Sequence, residues 1–65
     1  MKIKEDKINQ LKKFGFKEQT YPVGSYTLNN DIVVEPNRNI LVLTKQGEII
    51  LQYLKSFNMV EKDGE

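Results

Sequence analysis

The side chains able to do chemistry here are nine carboxylates, ten lysines and arginines and three tyrosines, with no histidine and no cysteine among 65 residues. Nucleophilic or acid–base catalysis needs a base beside a nucleophile, or two carboxylates sharing a pocket. The acids are instead dispersed along the chain, and Glu35 before Pro36 and Glu48 at a helix start have structural uses. The chain is therefore read as non-enzymatic, with no catalytic residue. Without cysteine or histidine it offers no disulfide and no zinc, haem or iron–sulfur ligands of the usual types. Glycines isolated at positions 15, 24, 47 and 64 build no phosphate-cradling loop. The alternating Glu61, Asp63 and Glu65 are the one divalent-metal candidate and are read as a solvated tail. No cofactor and no metal is expected.

Two binding chemistries remain. Residues 1–20 carry six lysines and a net charge of +3, whereas residues 21–65 carry −2. Lys12, Lys13 and Lys17 at a helix exit, with Arg38 at a hairpin tip, are candidate phosphate contacts for an accessory nucleic-acid binder. That reading is the alternative, because lysines on a helix face are ordinarily solvated surface. The preferred reading is protein–protein association, through Tyr21, Tyr26, Val33, Ile40 and Val42, with Tyr53 a further tyrosine of the interface-prone type. Its partner is a second copy, making a homodimer, or another protein. No apolar run approaches the ~18–20 residues that span a bilayer, and MKIKEDKINQ lacks the apolar centre of a signal peptide. A soluble cytoplasmic protein follows.

The elements that must position these residues are short. Ile8, Leu11 and Phe14 recur every three residues from Lys4 to Phe14, with acids in the first turn and lysines in the last, which predicts an amphipathic helix. In LKKFGFKE, Gly15 can take the left-handed stop and Phe16 can return onto Leu11. LKSFNMVE repeats the pattern 43 residues later, with Asn58 in place of Gly15 and Met59 returning to Leu54, so residues 59–62 are expected to leave as a short strand. Gln19 to Leu28 reads as an irregular edge strand with a parity flip at Gly24-Ser25. DIVVE and NILVLT, separated by Pro36-Asn37-Arg38-Asn39, form a hairpin, with Asn39 the residue of positive φ. Thr44 caps a final helix carrying Ile50, Tyr53, Leu54 and Phe57.

NILVLTKQGEIILQYL resembles the second wing strand and following helix of MarR-type winged-helix regulators, and LKKFGFKE resembles the end of their recognition helix. The likeness covers roughly residues 11–54. It implies a wing and helix without the helix-turn-helix, since ten residues precede Leu11, and it carries over no recognition-helix function. The lysine-rich helix, glycine-phenylalanine stop, hairpin and last helix also resemble small proteins of low-GC Gram-positive bacteria and their prophages, which implies a phage-related origin and no activity.

These features add up to one small α+β domain over residues 1–65, with 1–3 and 63–65 frayed: helix, three-stranded antiparallel meander, helix, both helices on one sheet face. Ile8, Leu11, Phe14, Phe16, Ile32, Val34, Leu41, Leu43, Ile50, Leu54 and Phe57 are the expected core. A chain of this size buries only roughly 60% of its unfolded surface, and a single such core rarely yields more than ~3–5 kcal/mol. The hairpin is apolar on both parities, so its second face calls for a curled sheet, the chain ends or another molecule.

Overall fold

The computed structural model describes residues 1–62 and is an α+β structure. A 3₁₀ helix (Glu5–Phe14) leads into strands β1 (Lys17–Glu18), β2 (Tyr26–Leu28), β3 (Ile32–Val34) and β4 (Ile40–Val42), and helix α1 (Lys45–Ser56) follows. The four strands form one antiparallel sheet in sequential order. The expected meander thus has four strands, not three.

The first helix is of the 3₁₀ type along its ten residues. Its apolar residues are three apart, and in a helix of three residues per turn side chains at i and i+3 stack in line. An α-helix would rotate the same three side chains progressively off the core. Leu11, in the middle of the row, is fully buried, and Ile8 and Phe14 pack at the core margin.

Both helices stop by the same device. Gly15 has φ 98° and Asn58 φ 61°, the left-handed region, where glycine and asparagine meet the least penalty. The Gly15 amide donates to the Lys12 carbonyl and the Phe16 amide to the Leu11 carbonyl, both at 3.1 Å. The Asn58 amide donates to Lys55 (2.9 Å) and the Met59 amide to Leu54 (3.0 Å), the same Schellman pair of bonds. Phe16 and Met59 both turn into the core. The first exit becomes β1 and the second places Val60 in a bridge with Ile3. The two exits therefore lie towards opposite ends of the sheet.

Residues 1–3, expected to fray, are instead built into that end. Ile40 donates to the Met1 carbonyl, Ile3 to Arg38, Lys4 to Met59 and Glu61 to Lys2, at 2.7–2.9 Å. The N-terminal segment thus lies between the start of β4 and the C-terminal segment, and Ile3 is fully buried. Its backbone groups and its side chain are satisfied together, which is why it is ordered. Residues 63–65 lie outside the described residues.

The expected edge strand from Gln19 to Leu28 is a loop followed by β2. Pro22 has no amide to give to a ladder, Gly24 takes φ 88°, and the Gln19 amide closes the loop on the Ser25 carbonyl at 2.8 Å. The strand begins earlier, at the helix exit. Asn29 and Asn30, both at positive φ, make the I′-type turn into β3, and the Asp31 amide bonds to Leu28 across it. In the β3–β4 turn the residue of positive φ is Arg38, not Asn39, which keeps its side chain on Glu35.

Register decides which hairpin parity is inside. Val34 faces Ile40 and Ile32 faces Val42, and these join Leu11, Phe16, Ile50, Leu54, Ile3, Met59 and Val60 around one core. Val33 pairs with Leu41 on the other parity. Leu41 and Leu43, expected in the core, are therefore exposed, while Ile40 is buried. Phe57, also expected inside, is exposed because the stop at Asn58 follows it directly.

Helix α1 is fixed at its N-terminus. The Thr44 hydroxyl donates to Asp31 Oδ1 (2.8 Å) and accepts from the Gly47 amide (3.1 Å), as a capping threonine should. The Asp31 carbonyl accepts from Leu43 and Thr44 and lies 2.1 Å from where a Cβ on Gly47 would stand. An ordinary helical glycine replaced by alanine gains about 1 kcal/mol in helix propensity. Here Gly47→Ala is expected to lose about 1–3 kcal/mol or more through overpacking, lowering the urea midpoint. A raised midpoint would contradict the close approach.

Candidate functional site

The residues read as an interface do not come together. Tyr21 is 86% exposed on the loop between β1 and β2, next to exposed Val23. Tyr26 and Val42 are half-buried and pack against the core, Val33 lies on the opposite parity, and Ile40 belongs to the core itself. Ile40 is corrected for the reason given by its pairing with Val34: both hairpin strands are apolar throughout, and only the register assigns the faces.

The cationic set is also divided. Lys12 lies 3.7 Å from Glu18, and Lys13 and Lys17 are exposed on the same side of the molecule, near β1. Arg38 is beyond the other end of the sheet, beside β4. Its Nη1 donates to the Ile3 carbonyl (3.1 Å) and to Glu61 Oε2 (2.8 Å), closing the junction of the two terminal segments. A side chain engaged in that way is a structural clasp, and it is not grouped with the lysines. Glu61, one of the three acids considered for a metal, is the clasp's partner, while Asp63 and Glu65 lie outside the described residues. Among the described residues no group of three or more acids could hold a metal ion, and no helix is long and apolar enough to cross a membrane.

What the fold does assemble is an apolar groove of ≈ 330 Å³ lined by Phe14, Leu28, Ile50, Tyr53, Leu54 and Phe57. Its position follows from the two helix stops. The 3₁₀ helix ends at Phe14 and α1 ends beside Phe57, so the two rings meet with centroids 5.3 Å apart and planes tilted by 49°. That distance and tilt suit an aromatic pair. Buried Leu54 and half-buried Leu28 lie below the rings, while Tyr53 and Phe57 remain 60% and 58% exposed. The groove holds no ionisable group except the Tyr53 phenol, so it can take apolar side chains and nothing in it can activate a reactant.

A second row extends the groove along α1. Ile49, Tyr53 and Phe57 are four apart and all exposed, beside the buried row of Ile50 and Leu54. Two parallel apolar rows on a helix that needs one to reach its core were visible in the sequence as an over-wide stripe. Leu28 carried no such signal, because it meets the two helix ends only through tertiary placement.

No protein-family model matches the chain, and neither the curated proteins nor the solved structures contain a match.

The clasp and the lysines can be separated by substitution. Arg38→Ala is expected to cost about 1–3 kcal/mol, since it removes a charge-assisted bond and a donor to a strand carbonyl. Lys13→Ala should stay within about 0.5 kcal/mol. Thermal or urea unfolding of the two variants checks the contrast, and equal stability would remove Arg38 from its structural role.

Proposed function

We propose that this chain is a small, non-enzymatic protein–protein interaction module that works through the groove between its two helices. The observation that carries this reading is the exposure of Tyr53 and Phe57 at the mouth of an apolar recess in a chain whose apolar residues are in short supply. A large ring left in water forgoes burial worth about 1.5–3 kcal/mol, a heavy loss where the whole core is thin. Tyrosine and other aromatic residues are enriched at interface centres for that reason.

The nucleic-acid alternative draws less support. Its four cations are split between the two ends of the sheet, one of them engaged with Glu61, and a small lysine group alone gives weak, salt-sensitive attraction. The winged-helix resemblance carries over no recognition-helix function, so it adds nothing to this alternative.

The apolar dye 8-anilinonaphthalene-1-sulfonate tests the site. The natively folded protein at low micromolar concentration is expected to enhance the dye's fluorescence saturably. Tyr53→Lys and Phe57→Lys should each reduce the dye's affinity several-fold while the far-ultraviolet dichroism is retained. Equal binding by both variants, or none by the native chain, would refute the groove as the contact surface.

A further inference from the structure

We infer that the sheet face turned away from the helices is a separate docking surface, and that its occupant is an acidic amphipathic helix of another protein. Register assembles this face. Lys17 pairs with Thr27, Thr27 with Val33 and Val33 with Leu41, so these side chains form one row across the strands, on the opposite parity from the Val34–Ile40 pair of the core. Leu43 follows Leu41 on that parity, its amide bonded to the Asp31 carbonyl, and Lys2 joins the far end opposite Asn39. Leu41 and Leu43 are 46% and 52% exposed. Strands apolar on consecutive residues belong to sheets covered on both faces, and here both helices pack on one. A layer of helices is a standard cover for the other.

The charges select the occupant. Lys2 and Lys17 stand exposed at the two ends of the row, and among the described residues neither has an ion-pair partner. The carboxylates of the same face are engaged: Asp31 with the Thr44 hydroxyl, Glu35 with the Asn39 side-chain amide and Glu61 with Arg38. The unanswered charge is therefore positive at both ends of an apolar centre. A helix with an apolar stripe and carboxylates towards its two ends is complementary to that pattern. The row crosses four strand spacings, about 19 Å, which a helix spans in about 13 residues. A second copy would set lysines against lysines, and an anionic bilayer would meet the three carboxylates as well.

Amide NMR of the isotope-labelled chain, titrated with a helical peptide of about 16 residues, apolar on one stripe and with glutamates in its first and last turns, tests the assignment. Saturable shift changes are expected at the amides of Thr27, Val33 and Leu41. Leu41→Lys should weaken binding roughly tenfold or more, because it sets a charge under the apolar stripe, and its exposed position lets the far-ultraviolet dichroism stay native. Lys2→Gln and Lys17→Gln should each weaken binding several-fold, whereas Lys55→Gln, on α1, leaves it unchanged. A peptide with lysines in place of the glutamates should bind several-fold more weakly. No binding, equal binding of the two peptides, or undiminished binding by Leu41→Lys would overturn the inference. So would the same amide shifts on concentrating the chain alone or on adding phosphatidylserine vesicles. The surface is distinct from the groove: peptide shifts confined to Tyr53 and Phe57 would keep the groove and reject the sheet face.

Discussion

The insertion of residues 1–3 between the start of β4 and residues 59–61 is the interaction on which the rest of the molecule depends. A core this thin, with no disulfide to support it, draws on residues 1–3 and 59–61 as well as on the sheet and helices. Ile3, Met59 and Val60 contribute three of the ten buried core side chains, all from segments that ordinarily fray. Their backbone pairing also explains the Arg38 clasp, which adds a side-chain bond across the same junction. Residues 1–3 and 59–61 prolong the sheet past β4 without covering the second face of the apolar hairpin, where Leu41 and Leu43 stay exposed.

Much of this was legible from residue types because local devices act through neighbours in sequence. The two helix stops, the capping threonine and the β3–β4 hairpin follow from glycine, asparagine, threonine and proline at fixed offsets. The spacing of three in Ile8, Leu11 and Phe14 was a 3₁₀ signature as written, though an amphipathic helix is conventionally read with an α-helical period. The hairpin parity was not legible: every residue of both strands is apolar, so the pattern that usually selects a face is absent. The ordering of residues 1–3 depends on a partner more than 50 positions away, Val60, which no local rule supplies.

The candidate site divides along the same line. Tyr53 and the row of Ile49, Tyr53 and Phe57 could be read from the helix, whereas Leu28 and Phe14 join them only through tertiary placement. Expecting Phe57 inside was reasonable by periodicity, but a helix that stops one residue later exposes its final turn. The same stop that orders the exit strand therefore leaves an aromatic ring outside, so one backbone feature serves both the fold and the surface.

The close contact of Gly47 with the Asp31 carbonyl has a further effect on recognition. A helix pressed backbone to backbone against the sheet at one end cannot roll about its own axis without collision. Its outward row is consequently held at one azimuth before any partner arrives. If a partner docks there as proposed, binding would cost little ordering entropy on this side, and selectivity would rest on fixed geometry more than on adaptation.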